Sequence, residues 1–185
     1  MTELMNWFEK GMTKHEYIHY MQTNKDNMLN IYNDFALTPE DKIALQALQS
    51  QQLKAIVLTA DWCGDAMVNI PILMRIAEEA LIDVRYLIRD DHLELMDQYL
   101  TNGKSRSIPI IIFLNDAGKE MAKWGPRSRK VTEVVSELQK DLPAQDAPEY
   151  KEAFKDFIAK ATVQFKTNLD LQASIKEELI ACITK

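Results

Sequence analysis

Residues 53–66 read Leu-Lys-Ala-Ile-Val-Leu-Thr-Ala-Asp-Trp-Cys-Gly-Asp-Ala, and this stretch decides the fold class. Its first seven residues are mostly apolar and rich in branched side chains, which predicts a short buried strand. After Gly64 the pattern is helical to about Ala80. The stretch therefore joins a buried strand to a helix and places Cys63 where that helix begins.

A thiol at the start of a helix has physical reasons to be reactive. Backbone N–H groups without helical partners and the positive end of the helix dipole both favour the thiolate, which is the nucleophilic form. The dipole contributes about 0.3–1 kcal/mol, which would lower the pKa of Cys63 from about 8.5 to roughly 8. Asp65 opposes the thiolate by like charge. The sequence therefore predicts Cys63 as a modestly activated nucleophile.

Strands and helices alternate on the C-terminal side of this stretch. The predicted elements are a strand at 83–88, a helix at about 91–100, a strand at 109–114, a turn at 115–118, an edge strand at 120–124 and a helix at 128–140. This order is typical of a small α/β sheet layered with helices.

Both flanking segments are predicted to be helical. Residues 1–50 carry apolar side chains at helical spacing, which predicts two or three helices, and Thr38 followed by Pro39 marks a helix start that runs to about Gln51. Residues 142–148 contain two prolines and form a linker, and residues 149–183 predict one or two amphipathic helices packed on the body. We expect an N-terminal helical extension at 1–52, an α/β core at 53–140 and a C-terminal linker with an amphipathic helix at 141–185.

The core resembles the thioredoxin superfamily at four spaced features. These are Trp62-Cys63-Gly64-Asp65-Ala66 in place of Trp-Cys-Gly-Pro-Cys, Pro71 eight residues after the cysteine, Arg106-Ser107-Ile108-Pro109 before a strand, and the glycines Gly118 and Gly125 in and after the hairpin. The resemblance covers about residues 53–140. It implies a thioredoxin-like α/β fold with a central mixed sheet and a cis peptide bond before Pro109.

Two departures from the superfamily pattern bear on function. Ala66 occupies the position of the second, resolving cysteine, and Val57 stands where thioredoxins place a buried aspartate. Cys63 can then attack a protein disulfide or an S-thiolated protein, but an external small thiol must release it. We therefore expect monothiol thiol–disulfide exchange on protein or low-molecular-weight mixed disulfides, with a small thiol as reductant and no cofactor. The alternative is a catalytically silent module that binds proteins through the same groove.

The resemblance also implies roles for the residues around Cys63. The substrate-binding surface would consist of Trp62, Gly64, Ile108 and Pro109. Backbone groups beside the proline would pair with an extended peptide. Asp65 and Arg106 would modulate the thiol, with Arg106 and Lys104 offsetting the acid.

A second candidate motif, of the kind that binds zinc, lies near the N-terminus. His15-Glu16-Tyr17-Ile18-His19 is a literal H-E-x-x-H, which on a helix can hold zinc between two imidazoles with Glu16 as general base, and Glu40 is a conceivable third ligand. The same residues fit a surface helix whose buried stripe is Met12, Ile18 and Met21. Because only fourteen residues precede His15, we favour the surface helix and expect no metal.

Composition and charge narrow the classes of partner. The 185 residues carry 22 Lys and Arg against 28 Asp and Glu, a formal net charge of -6, so we expect no nucleic-acid partner. Two cysteines are too few for a disulfide framework, and Cys182 suits an apolar filler in its helix. With no export signal visible and the longest apolar run, 108–114, well short of a membrane span, we expect a cytoplasmic protein with no membrane partner.

Overall fold

The computed structural model describes residues 2–184 and has, within them, one four-stranded mixed sheet. The strands are β1 (Lys54–Thr59), β2 (Asp83–Ile88), β3 (Ile110–Leu114) and β4 (Glu120–Trp124). Their spatial order is β2-β1-β3-β4, with β1 parallel to β2 and antiparallel to β3, and β3 antiparallel to β4. The predicted α/β class with a mixed central sheet is confirmed.

The two central strands form the most buried part of the sheet. Every residue of β3 is buried, and in β1 only Lys54 is not. Val57 pairs with Tyr86 of β2 on one side and with Ile111 of β3 on the other. Both strands read as continuous apolar runs because both of their faces are covered. The edge strand β4 is mostly exposed.

Helices surround the sheet. They are α1 (Glu3–Lys10), α2 (Lys14–Tyr20), α3 (Lys25–Asp34), α4 (Pro39–Gln46), α5 (Gly64–Ala80), α6 (Leu93–Met96), α7 (Arg129–Gln139), α8 (Tyr150–Thr167) and α9 (Leu169–Ile183), with short 3-10 turns at Gln49–Gln51 and Arg89–Asp91. None of the helices in the described part of the chain has the length and apolar character that a bilayer crossing needs.

The helix α5 positions the site. Twelve of its 17 residues are buried, because it packs against α3, α4, α8 and α9 as well as lying beside the sheet. A helix that is apolar nearly all round is the sequence counterpart of such burial. The first turn of α5, and with it Cys63, is therefore held in a fixed position relative to β1.

Between residues 2 and 52 the N-terminal segment contains four helices rather than the two or three predicted. The pattern breaks at Met12, whose backbone leaves the helical path to exchange two hydrogen bonds with Tyr86 at 2.9 and 2.8 Å. Thr38 caps α4 as predicted and forms a capping box with Asp41. The predicted helix end at Gln51 is wrong, because the chain tightens after Gln46 and reverses at a left-handed Gln52 before entering β1.

Two further boundaries differ from or refine the prediction. The helix predicted at 91–100 is reduced to α6, because Tyr99 turns away to donate its hydroxyl hydrogen to Glu120 at 2.6 Å and Thr101 pairs with Ser105. The C-terminal amphipathic pattern forms two helices, because Asn168 leaves the helical conformation and caps α9. Both helices pack on the body, α9 with five buried residues and α8 with three.

Candidate functional site

Cys63 is the N-cap of α5, between the end of β1 and the first helical turn. Its Sγ accepts a hydrogen bond from the Ala66 N–H at 3.5 Å, and its thiol donates to the Ile108 carbonyl oxygen, also at 3.5 Å. The first contact stabilises a thiolate, whereas the second is available only to the protonated thiol. The sulfur thus lies between the start of a helix and the loop that precedes β3.

The loop opposite the sulfur ends in a cis peptide bond between Ile108 and Pro109, and both residues are buried. Gly125, at the exit of β4, has a φ of +125° and lies directly against the Pro109 carbonyl oxygen, which a Cβ at this position would strike. A side chain at residue 125 is therefore excluded both by conformation and by space. The structure brings Cys63, Ile108 and Pro109 together as the sequence predicted.

Trp62 forms an exposed wall beside the cysteine. Its side chain is 53% exposed, and the Arg89 guanidinium lies 5.0 Å from the ring centroid. Arg89 also donates to the Arg106 carbonyl oxygen at 3.1 Å, which ties this wall to the loop before Pro109. The cation–π contact holds the ring in its exposed position, so the apolar surface of the ring is available to a ligand.

The charges around the thiol differ from those expected. Arg106 forms an exposed ion pair with Asp97, donating from Nε at 2.7 Å and from Nη2 at 2.9 Å, so the prediction that it offsets Asp65 is wrong. Lys104 lies in an exposed turn and makes no ion pair within residues 2–184. The cation that pairs with Asp65 is Arg127, whose Nε donates to Oδ1 at 2.8 Å.

The predicted lowering of the thiol pKa is also wrong. Burial raises the pKa of Cys63 to about 11, and the negative charge of Asp65 adds to this effect. The hydrogen bonds from the Ala66 and Asp65 N–H groups and the charge of Arg127 oppose the rise without cancelling it. Burial likewise raises the pKa of Asp65, against the pull of Arg127.

Distant parts of the chain contact the residues next to the buried Cys63. The residue is only 8% exposed, and next to it Gly64 faces the ring of Phe165, which would lie 3.7 Å from a Cβ at residue 64. On the N-terminal side, Asp61 accepts hydrogen bonds from the N–H groups of Gln22 and Thr23 at 2.8 and 3.0 Å. Segments before β1 and after α7 therefore close around the loop that carries the cysteine.

Sequence reasoning missed three residues at this site, namely Asp61, Arg127 and Phe165. Arg127 stands two residues after Gly125, a glycine of the predicted motif, but nothing local pairs it with Asp65. Asp61 precedes Trp62 in the motif, but nothing local predicts its backbone partners. Phe165 is 102 positions from Cys63, and only the packing of α8 brings it close.

In the H-E-x-x-H motif, Glu16 has a structural role as part of the N-terminal cap of α2. Glu16 completes a capping box, accepting from the Thr13 N–H at 2.7 Å and from its hydroxyl at 2.9 Å. These hydrogen bonds hold the pKa of Glu16 below its usual value. His15 and His19 are exposed, and no group of three or more His, Cys, Asp or Glu side chains suited to a metal occurs within residues 2–184. The buried residue of α2 is Tyr17, which the expected stripe omitted.

The sheet order, the cysteine at the start of the helix after β1 and the Pro109 loop facing it define a protein of the thioredoxin fold. A family model described as Thioredoxin matches residues 11–143. The chain therefore belongs to the thioredoxin family.

Two solved structures resemble the chain over nearly its whole length. A protein of unknown function from Pseudomonas aeruginosa, PA1234, has a TM-score of 0.64 at 16% identity, with 96% of this chain and 99% of that chain covered. An HIV epitope scaffold has a TM-score of 0.61 at 13% identity, with 94% and 97% covered. At these identities the likeness concerns the fold alone. No curated protein matches the sequence.

Proposed function

We propose that the protein performs monothiol thiol–disulfide exchange through Cys63. The observation that carries this proposal is the placement of Cys63 as the N-cap of α5, with its sulfur 3.5 Å from the Ile108 carbonyl oxygen and Ala66 at the position of a second thiol. A nucleophilic sulfur next to an exposed aromatic wall and a buried proline loop suits an extended substrate chain that carries a disulfide.

The first step forms a mixed disulfide on the protein. The Cys63 thiolate attacks one sulfur of an S-thiolated substrate, the substrate disulfide breaks, and the substrate cysteine leaves as a thiolate. The small thiol is then joined to Cys63. The proton that Cys63 loses passes to solvent, and the leaving substrate thiolate takes one up.

The second step regenerates the protein. Because Ala66 has no sulfur, an external small-thiol thiolate attacks the mixed disulfide and leaves as a small-molecule disulfide, which returns Cys63 as a thiolate. A reducing compartment such as the cytoplasm supplies such a thiol. In this proposal residues 53–140 carry the reaction, while Gln22, Thr23 and Phe165 of the flanking segments contact the loop that holds Cys63.

The raised pKa limits the rate at neutral pH. With a pKa of about 11, roughly one Cys63 in ten thousand is a thiolate at pH 7. Turnover then depends on substrate contacts that stabilise the thiolate or displace the groups that bury it. We expect slow exchange that accelerates with pH, in contrast to a thiol of pKa near 8.

The test uses a peptide whose cysteine carries glutathione, with free glutathione as the releasing thiol. We expect the protein to accelerate release of the reduced peptide, Cys63→Ser to abolish the acceleration, and Cys182→Ser to retain it. Cys182 is the matched control because it is the other cysteine of the chain and lies on α9 against the Lys123 carbonyl. Acceleration that survives Cys63→Ser would overturn the proposal.

The burial of the sulfur favours a second candidate, a catalytically silent protein-binding module. Trp62 is 53% exposed whereas Cys63 is 8% exposed, so a partner can contact the wall without reaching the thiol. An extended peptide would then bind the groove equally well to wild type and to Cys63→Ser. Partners captured from a lysate in equal amounts by both proteins support the module, and partners captured only through Cys63 support the exchange reaction.

A further inference from the structure

A cavity of about 410 Å³ lies at the ends of β3 and β4, within the size range of small-molecule sites. Ile110, Trp124 and Gly125 form its floor, and the loop at Thr101 and Asn102 borders it. Its lining also includes two cations, Lys123 and Arg127. The cavity is therefore a partly apolar hollow with basic groups.

The cavity lies next to the Pro109 loop, which faces Cys63. Ile110 stands two residues after Ile108, whose carbonyl oxygen receives the Cys63 thiol, and two extended residues span about 7 Å. Gly125 lies in the cavity wall and against Pro109. The Pro109 loop therefore adjoins both the sulfur of Cys63 and the wall of the cavity.

Two cations, Lys123 and Arg127, and one acidic residue, Glu178, line the cavity. Glu178 is its one acidic lining residue, and both of its oxygens are engaged, one by the Trp124 indole N–H at 3.1 Å and the other by the Arg129 N–H at 2.8 Å. Lys123 is exposed, its Nζ lies 5.7 Å from the centroid of the Tyr99 ring, and it forms no ion pair with a carboxylate within residues 2–184. Arg127 uses only Nε for Asp65, which leaves four of its five N–H donors.

We propose that this cavity binds the carboxylate-bearing part of the small thiol that regenerates Cys63, with Lys123 as the principal anchor. The inference rests on the proposed function, because it assigns a substrate class to the second step of that reaction. The bound thiolate attacks the mixed disulfide on Cys63 and forms a small-molecule disulfide, and the electron pair of the broken bond stays on the Cys63 sulfur. Among small thiols, the anionic ones are therefore preferred.

The kinetic test compares glutathione with glutathione diamide, in which neutral amides replace both carboxylates. Each thiol cleaves a preformed mixed disulfide between Cys63 and glutathione and so frees Cys63. The ratio of the two cleavage rates is measured in wild type, Lys123→Gln and Lys119→Gln. Differences in intrinsic thiol reactivity cancel when this ratio is compared between proteins. Lys119 is the matched control because it is an exposed lysine at the other end of β4.

We expect Lys123→Gln to lower the glutathione-to-diamide ratio about fivefold, which corresponds to roughly 1 kcal/mol for an exposed ion pair. Lys119→Gln should keep the wild-type ratio. An unchanged ratio in Lys123→Gln, or an equal fall in both variants, would overturn the inference and leave the exchange reaction intact.

A second measurement does not depend on turnover. S-methylglutathione cannot exchange with Cys63, so it reports binding alone, followed through the NMR resonance of the Trp124 indole N–H in the cavity wall. We expect a saturable shift whose dissociation constant rises about fivefold in Lys123→Gln and not in Lys119→Gln. Absence of a saturable shift in wild type would contradict the cavity site even if Cys63 turns over.

Discussion

Burial and the N-terminus of α5 have opposite effects on the pKa of Cys63. Burial favours the neutral thiol, whereas the N–H groups of Ala66 and Asp65 favour the thiolate. A helix N-terminus is worth about 0.3–1 kcal/mol, while desolvation can raise the pKa of an acidic group by up to about 3–5 units. The larger effect decides the outcome, and the pKa rises to about 11.

Asp65 and Arg127 set the charge next to the sulfur. Asp65→Asn removes the negative charge and leaves Arg127 without its partner, so we expect the pKa of Cys63 to fall. Alkylation by iodoacetamide at neutral pH should accelerate several-fold, because the thiolate fraction rises about tenfold per pKa unit. Arg127→Gln should slow it. Salt should change these effects little, because the Asp65 side chain is only 13% exposed.

Asp97→Asn is the matched control for this prediction. It also removes one acidic charge from an ion pair with an arginine, but the Asp97–Arg106 pair is exposed and separate from Asp65. We expect the alkylation rate to stay within about twofold of wild type. Equal acceleration in Asp97→Asn and Asp65→Asn would show that general charge, rather than the Asp65–Arg127 pair, governs the thiol.

The residues of the site were predictable to the extent that their signals are local. Trp62, Cys63 and Pro109 stand in short motifs with fixed spacing, and the structure brings them together. The raised pKa of Cys63 was not predictable, because it results from burial in the folded protein, which the local sequence does not report. Arg106 was predicted to offset the charge of Asp65 because it is close in sequence to Pro109. In the structure it forms an exposed ion pair with Asp97 instead.

Among the elements, the first turn of α5 decides between monothiol and dithiol chemistry. Ala66 is 2% exposed and its N–H reaches the Cys63 sulfur at 3.5 Å, so a thiol at residue 66 would lie close to that sulfur. We expect Ala66→Cys to raise the rate of insulin disulfide reduction about tenfold or more, because a resolving thiolate can then expel the substrate. The rate is measured as the turbidity of reduced insulin.

Ala66→Ser serves as the control for this element, because it adds a similar side chain without a second sulfur. It should leave insulin reduction at the low wild-type level, and thermal unfolding checks that both variants remain folded. High insulin reduction by the wild type that persists in Cys182→Ser would contradict the monothiol reading.

Variants at the start of α2 test whether its H-E-x-x-H residues cap the helix or bind a metal. Thr13→Ala should lower the free energy of unfolding by about 1 kcal/mol, because it removes the N-cap of α2 and the partner of Glu16. His15→Ala and His19→Ala should change it by less than about 0.5 kcal/mol, since both side chains are exposed. Denaturant titration measures the three values. Zinc at one atom per chain that disappears in His15→Ala would reverse this assignment.

Element boundaries were predictable where the hydrophobic pattern and the residues that end it lie in the same segment of the chain. β2 and β4 occupy the predicted residues, and α5 runs from Gly64 to Ala80 as expected. The helix predicted at 91–100 ends early because Tyr99 bonds to Glu120, which belongs to another strand. A non-local contact of this kind leaves no mark on local periodicity.

On the scale of the whole molecule, α9 is fastened to the N-terminal helices by a largely buried ion pair. Lys176 Nζ donates to Asp41 Oδ2 at 2.7 Å, and the two side chains are 12% and 15% exposed. Burial alone would raise the pKa of Asp41, but the hydrogen bonds from Lys176 and Thr38 hold it below its usual value. The C-terminal helices are therefore part of one folded body with the N-terminal ones.

Lys176→Ala should lower the free energy of unfolding by about 2 kcal/mol at neutral pH, because Asp41 then remains buried without its cation. Since the folded-state pKa of Asp41 is depressed, its stabilising contribution is present above the unfolded value of about 3.9 and is lost as pH falls through the folded value. The difference between wild type and Lys176→Ala should therefore shrink under acidic conditions. Urea titrations at several pH values measure it.

Lys130→Ala is the matched control, because its pair with Asp170 is exposed and longer, at 3.4 Å. We expect a loss below about 0.5 kcal/mol with no such pH dependence. Equal losses in the two lysine variants would contradict the structural role of the buried pair.

We propose that Cys63 alone carries the covalent intermediate, and intact-protein mass spectrometry can locate that intermediate. The protein is incubated with a glutathionylated peptide and quenched in acid, which prevents further exchange. We expect one glutathione per chain, located at Cys63, present in Cys182→Ser and absent in Cys63→Ser. Glutathione on Cys182 alone, or none on either cysteine across the alkaline range where Cys63 ionises, would contradict it.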